Sequence, residues 1–307
     1  MDQEKIKILV CCHKKTDLPT NRHGILFPIH VGAALSNENL GIQRDDQFNG
    51  MPCDNISRKN KSYCELTALY WAWKNIKRMY PKLEYIGLNH YRRYFDLNKR
   101  SFFKPVNVRQ ELEVKNYEIS QKKIINILES GYTILSEPQI YAYPIAFDYA
   151  LQHFCDDLKI LAKVYAQNDP NCVDILKKFL LQNNKLSHFN MFVMKWQDFD
   201  NYCNWLFNGL AEIEKYVNIQ NYSSVQKRIY GYMAERLLNV FCKKNTLKIK
   251  YIPVIKYANQ KDFSILYYIY RFIRCNIAFL FVKPPITNVV WNNWMIYAEK
   301  LIDEKKK

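Results

Sequence analysis

A short apolar segment that breaks off into cations restricts this chain more than any other feature. Tyr85-Ile-Gly-Leu88 is apolar enough for an interior strand, and directly after it the chain turns polar and basic at His90, Arg92 and Arg93. In open α/β sheets ligands gather at the carboxyl ends of strands, so this turn is where chemistry is expected. The preceding segment fits the same scheme. Ser62-Tyr-Cys-Glu65 has the form of a capping box, opening a helix that runs to about Met79. Leu66, Leu69, Trp73 and Ile76 recur at the spacing of one buried helix face, and Pro81 is a stop signal.

Strand and helix signals alternate elsewhere as well. Ile6-Lys-Ile-Leu-Val-Cys11 reads as a first strand, followed at once by Cys12, His13, Lys14 and Lys15 as a candidate binding loop. Thr16 to Asn60 is rich in turn formers, with a short strand expected near Ile25 to Ile29. Arg100 to Glu118 is charged and irregular, as in a surface excursion. Ser120 caps a helix closed by Gly131, and Thr133-Ile-Leu135 makes a strand. Phe147 to Leu181 is helical with a break at Asn168-Asp-Pro-Asn171. Ser187 to Met194 reads as a strand with polar residues at its start, Asp198 to Tyr216 as an aromatic helix, Arg228 to Cys242 as a helix, and Leu247 to Ile255 as a terminal strand. This order favours a doubly wound α/β arrangement.

Composition narrows the function classes. A hydrophobic share of 49% over 307 residues supplies an ample core, for one large domain or two small ones. Lys+Arg 45 against Asp+Glu 29 gives a net charge of +16. Such a surface suits polyanions: nucleic acid, an anionic membrane face or a diphosphate-bearing substrate, the plain alternative being a lysine-rich solubilising surface. Nine cysteines at irregular spacing, without a CxxC pair, suggest a reducing compartment. Met1-Asp-Gln-Glu-Lys lacks the apolar stretch of a signal peptide, and no uninterrupted apolar run reaches the roughly 18 residues of a transmembrane helix. A cytoplasmic protein is expected. Beyond Lys261, Ile265 to Val282 mixes Tyr, Phe, Ile and Leu with only Arg271 and Arg274 as charges, and Lys283-Pro-Pro-Ile follows. That pattern fits either an interfacial membrane helix or a helix docked on the main domain. The last residues, ending Glu304-Lys-Lys-Lys307, read as frayed.

The motifs also carry a resemblance. Asp54-Asn-Ile-Ser57, Asn60, Cys64-Glu-Leu-Thr67, Tyr70-Trp-Ala-Trp-Lys-Asn75 and His90-Tyr-Arg-Arg93 resemble the domain-of-unknown-function 4422 family of bacterial capsular and exopolysaccharide glycosyltransferases. So do Asn190-Met-Phe, Tyr202-Cys-Asn-Trp-Leu-Phe207 and Arg228 with Gly231-Tyr-Met-Ala-Glu-Arg236. The resemblance, which spans roughly residues 5 to 255, implies a GT-A-like nucleotide-sugar-binding α/β domain with a central, mostly parallel sheet, here given the bounds 1–255; the tail over 256–307 lies outside it and reads from its composition as helical, aromatic and basic. It implies transfer of a galactosyl residue, pyranose or furanose, in capsule or exopolysaccharide assembly, with a UDP-sugar as the expected donor and a lipid-linked oligosaccharide as the expected acceptor; the aromatic, basic tail adds the expectation of peripheral attachment at the inner face of the membrane.

On that reading His90, Arg92, Arg93 and Glu235 are the catalytic candidates. His13, Lys14, Asp54, Asn55, Ser57, Asn60, Glu65 and Tyr91 face the donor, and His188, Asn190 and Arg228 the acceptor. Asp148 competes with Glu235 as general base. Many GT-A enzymes hold a divalent cation on an Asp-x-Asp motif after the corresponding strand, where this chain has Asn89-His-Tyr-Arg-Arg93. Guanidinium groups can stabilise a leaving diphosphate directly. No metal cofactor is therefore expected, with Mn2+ or Mg2+ at His90 and Asp96 as the alternative.

Plainer roles exist for the same residues. Glu65 can be a helix cap, Asp54-Asn-Ile-Ser57 an Asx turn, Trp71 and Trp73 core, and Arg228 with Glu235 a structural ion network. A basic nucleic-acid-binding protein is the rival class, given +16 and 23 tyrosines. Helix-turn-helix, zinc-finger and RNP patterns are absent, so a nucleic-acid partner is not expected. A lectin-like binder on the same fold is the other non-catalytic alternative.

Overall fold

An apolar run in a large α/β chain is satisfied by a strand covered on both faces, and Ile6–Cys12 (β1) is buried along its whole length. Even Lys7 complies, its ammonium donating to the Gly24 carbonyl at 2.6 Å and lying over the Tyr80 ring. A computed structural model describes residues 4–98, 103–282 and 287–306, and within these the chain forms two compact units. The first comprises residues 1–138, 187–203 and 248–268, and the second 139–186, 204–247 and 269–307.

The first unit holds a ten-stranded sheet. Besides β1 its strands are Leu26–His30 (β2), Gln43–Arg44 (β3), Tyr85–His90 (β4), Arg93–Phe95 (β5), Val106–Arg109 (β6), Tyr132–Ser136 (β7), Phe192–Lys195 (β8), Lys248–Ile252 (β9) and Val254–Tyr257 (β10). The main order is β9-β7-β8-β4-β1-β2-β3. Pairing is parallel for β4/β1, β1/β2, β2/β3 and β9/β7, while β8 runs antiparallel to both its neighbours. β5 leaves β4 as a hairpin and pairs with β10, which also pairs with β6. The mostly parallel α/β sheet expected from the sequence is therefore present.

Helix α1 (Leu66–Met79) follows the loop-rich segment, but its buried face is rotated from the expected one. Leu66, Leu69 and Ile76 are buried as anticipated; Trp71 is the fully enclosed indole, donating to the Gln47 carbonyl at 2.7 Å. Trp73 is only partly covered and donates to Asp200 at 2.7 Å. Ser120 caps helix α2 (Gln121–Glu129), accepting from the Lys123 amide, and Gly131 closes it at φ 83°.

Three expectations need correction. The charged stretch before Glu118 is not simply a surface excursion, because β6 lies in the sheet and Val114, Tyr117 and Ile119 are buried; Arg100 to Phe102, at its start, lie outside the described residues. Ser187 to Met194 is not one strand, since pairing begins at Phe192. The terminal strand is two, broken at Pro253, which has no amide to donate and whose carbonyl accepts the Asp96 amide at 2.7 Å.

The second unit is helical: Ile145–Ala150 (α3), Cys155–Asn168 (α4), Val173–Leu181 (α5), most of Trp196–Glu214 (α6), Ile229–Lys244 (α7) and, after Ile265–Val282 (α8), Thr287–Lys306 (α9). The predicted break between α4 and α5 falls at Pro170–Cys172. The chain end is not frayed but helical through Lys306, with Glu299 paired to Lys163 at 3.3 Å. Lys283-Pro-Pro-Ile286 lies outside the described residues.

Gly87, in the middle of β4, has no room for a side chain. A Cβ there would lie 2.6 Å from the Phe192 carbonyl oxygen, a backbone atom that cannot turn away. Gly87→Ala is expected to lose about 1–3 kcal/mol by overpacking, read as a lower midpoint in denaturant unfolding.

Candidate active site

Parallel register brings two strand ends to one edge. Cys11 on β1 lies opposite His90 on β4, and the Tyr91 amide donates to the Cys11 carbonyl at 3.1 Å. His90 pairs with Arg93, which leaves Tyr91-Arg92 as the turn of a tight hairpin. The Tyr94 hydroxyl donates to the Tyr91 carbonyl at 3.1 Å, and the Tyr257 amide to the Arg92 carbonyl at 2.9 Å, so the turn is fixed from beneath. The His13 ring meets Tyr91 edge-on at 5.0 Å between centroids. The Arg92 guanidinium lies 4.9 Å from the Tyr91 ring centre and that of Arg93 4.6 Å from Phe189. Each such contact holds a cation by about 0.5–1 kcal/mol where exposed and more where dry. His13, His90, Tyr91, Arg92 and Arg93 thus come together, with exposed Lys14 next to His13 in the chain.

The segment entering β8 completes this edge through a strained turn. Phe189 and Asn190 sit at φ 73° and 51°, consecutive left-handed residues without glycine. That conformation costs roughly 1–2 kcal/mol per residue and persists where surrounding bonds enforce it. The bonds are present. His90 Nε2 donates to the Phe189 carbonyl at 2.7 Å, fixing the proton on that nitrogen, and the Asn190 amide donates to Glu65 Oε1 at 2.6 Å. Ser136 donates to the His188 carbonyl at 2.9 Å. Strand periodicity concealed this turn; the one sequence signal was Asn190, a residue type that tolerates left-handed backbone.

Glu65 is therefore not the capping-box member expected. It stands at the N-cap position without a side-chain cap bond, and the Ser62 hydroxyl donates instead to the Lys59 carbonyl at 3.1 Å. The Cys11 thiol is pushed far up, first by burial and next by the Glu65 charge, and burial pushes that of Cys12 up to about 12. Neither is a nucleophile at neutral pH.

The Asp54 to Asn60 loop is engaged with the protein itself. Gly32, at φ 68°, and Ala33 donate their amides to Asp45 at 2.7 and 3.0 Å. Ser57 donates to the same carboxylate and accepts the Ala34 amide at 3.0 Å. Asp45, fully buried, was not picked out from the sequence, where it is one aspartate among loop residues. Asn55 accepts the Ser57 amide at 3.0 Å, as an Asx turn does. Asn60 packs where a Cβ on Gly32 would be and donates to the Cys64 carbonyl at 2.7 Å. Asp54 is exposed, accepting from the Tyr70 hydroxyl at 3.2 Å.

Arg228 and Glu235 belong to the second unit. Arg228 immediately precedes α7 with its guanidinium 5.8 Å from the Tyr232 ring centre. Arg236 donates to Asp148 at 2.7 Å and lies 3.4 Å from Glu235, so the two candidate bases share one buried guanidinium. His153, between the rings of Tyr149 and Tyr232, is lowered to about 4 by burial and by Arg236, and is neutral at physiological pH.

His90 Nε2 is committed to a carbonyl, and Asp96 is buried with its Oδ1 on the Asn98 amide. Among the described residues no group of three His, Cys, Asp or Glu side chains could hold a metal.

Residues 7–246 match the family model described as domain of unknown function 4422. The chain belongs to this family. Among solved structures it is similar to WbbM, described as a bifunctional glycosyltransferase, in its apo form. The TM-score is 0.72 at 28% identity, covering 83% of this chain and 46% of that one. The chain thus spans about half the length of WbbM. No curated protein matches it. β9 and β10 both lie wholly beyond the matched region, so β10, which pairs with β5 at Arg93, is contributed from outside it.

The Asn190 turn can be tested directly. Asn190→Ala and Asn190→Gly both lose the Glu65 bond, but only alanine retains the left-handed strain. Glycine is expected to be the more stable variant by about 1 kcal/mol in denaturant unfolding.

Proposed function

We propose that this chain is a glycosyltransferase that moves a galactosyl residue from a UDP-sugar to a lipid-linked oligosaccharide in capsule or exopolysaccharide synthesis. The observation that carries the reading is the pair Arg92 and Arg93 at the carboxyl end of a buried strand, each guanidinium set against an aromatic face. The likeness to WbbM supports the reaction class.

In the proposed reaction an acceptor hydroxyl attacks the anomeric carbon as the bond to the diphosphate oxygen breaks. The electron pair departs with the diphosphate, and Arg92 and Arg93 bind the charge that develops there. The hydroxyl proton passes to a carboxylate acting as general base. His90 holds the Phe189 turn, and Glu65 with Asn190 orients the polar floor. No metal is required on this reading.

The enzyme is further proposed to act from the cytoplasm as a peripheral membrane protein. Helix α8 turns an apolar stripe outward: Leu266, Tyr270, Ile273, Ile277 and Leu280 are all exposed at three- and four-residue spacing. Its 18 residues are long and apolar enough to cross a bilayer but only 6% buried, unlike a core helix. Arg271 and Arg274 near its middle are costly at the bilayer centre, which favours a helix lying in the interface. From Phe263 to Ala298 the sequence holds no acid, in keeping with an anionic surface.

Transfer by Arg92→Ala or Arg93→Ala is expected to fall roughly 10- to 150-fold at little cost in melting temperature, with incomplete rescue by lysine. Wild-type turnover should survive chelator; abolition by chelator and recovery with manganese would contradict the metal-free mechanism. Ile273→Asp with Ile277→Asp should release the chain from vesicles containing anionic lipid, and unchanged co-sedimentation would refute the membrane role.

A further inference from the structure

We propose that Glu65 is the general base of the transfer, its carboxylate taking the proton of the acceptor hydroxyl. The inference rests on the transferase reading and names the one group that this reading leaves open.

Backbone strain is the first argument. Among the described residues five other than glycine have positive φ, and three of these adjoin or hold Glu65. Cys64, its neighbour in the chain, sits at φ 53° and ψ −128°, and Phe189 and Asn190 sit at φ 73° and 51°. Asn60 enforces the first conformation: its carbonyl accepts the Cys64 amide at 2.8 Å and its side chain donates to the Cys64 carbonyl at 2.7 Å. The Thr67 hydroxyl donates to the same carbonyl at 3.2 Å. Asn190 grips the carboxylate itself, on Oε1 at 2.6 Å. Strain of this kind gathers at active sites, where it holds a group in one position.

Placement is the second. The Phe189 ring bears the Arg93 guanidinium at 4.6 Å, and the next residue, Asn190, bears Glu65. One turn therefore holds both a cation for the departing diphosphate and a carboxylate for the incoming hydroxyl. The Glu65 charge is also felt by the Cys11 thiol at the end of β1, opposite His90. Access separates Glu65 from other acids. Asp45 and Asp96 are buried, and Asp45 is taken up by two amides and Ser57. Asp148 and Glu235 are buried and share Arg236. Glu65 is half-buried, so a substrate hydroxyl can approach it.

In the step itself the acceptor oxygen bonds the anomeric carbon while its bond to hydrogen breaks and the proton goes to Glu65 Oε2. The bond from that carbon to the diphosphate oxygen breaks with its electron pair leaving on UDP, and Glu65 later returns the proton to water.

The test measures UDP released from UDP-galactose by the full chain, with water or azide as nucleophile, for wild type, Glu65→Gln and Glu111→Gln. Glutamine still accepts from Asn190 but is not a base. Hydrolysis is expected to fall about 100- to 10,000-fold in Glu65→Gln, with calorimetric UDP affinity unchanged. Azide has no proton to lose, so it is expected to restore UDP release in this variant, with glycosyl azide as the product. Glu111, half-buried and felt at the Tyr91 hydroxyl, is the rival carboxylate, and Glu111→Gln is expected to hydrolyse like wild type. Wild-type hydrolysis in Glu65→Gln, or loss in Glu111→Gln instead, would overturn the role of Glu65 while leaving the arginine site standing. A fall in UDP affinity matching the fall in rate, or no recovery with azide, would mark a structural or donor-binding role and overturn it too. A wild type that releases no UDP would overturn the transferase reading, and the base with it.

Discussion

The parallel pairing of Ile6–Cys12 with Tyr85–His90 is the constraint on which the rest of the first unit depends. Strands buried on both faces cannot carry charge within the sheet, so their polar residues accumulate where the backbone emerges. Register then decides which residues meet: Cys11 opposite His90 sets Tyr91 on the Cys11 carbonyl and brings His13 against its ring. The hairpin that follows sets the Arg92 guanidinium against the Tyr91 ring and that of Arg93 against Phe189.

Strain and burial are concentrated at the same edge. Consecutive left-handed residues at Phe189 and Asn190 are held between His90 and Glu65, side chains from β4 and from the start of α1. Such a turn presents its neighbours in one arrangement and resists rearrangement, as preorganisation for a charged transition state demands. The Asp45 carboxylate does comparable work in the Asp54 to Asn60 loop by taking the Gly32 and Ala33 amides and the Ser57 hydroxyl.

Much of this was legible from residue order. β1, β4 and α1, the cap at Ser120 and the break at Pro170 followed from periodicity and from turn chemistry, which act over a few residues. What escaped was set by distant partners. β6 is polar and short and becomes a strand only because β10 pairs with it. Trp71 displaced Trp73 from the core because the Gln47 carbonyl and Asp200 lie where they do. The Ser62-Tyr-Cys-Glu65 box matched a local pattern, yet Asn190, far along the chain, captured the glutamate. Of the residues at this edge, those at the strand end could be picked out as candidates by position, whereas Asp45 has no local signature and is visible only in hydrogen bonding.

The central claim is that fixed positive charge at the end of β4 receives the diphosphate. A crystal structure of the chain soaked with UDP and manganese tests it most directly. The account predicts diphosphate oxygens within hydrogen-bonding distance of the Arg92 and Arg93 guanidinium groups and no metal between protein and phosphate. A diphosphate bound through manganese to His90 and Asp96, or seated away from the hairpin, would contradict it.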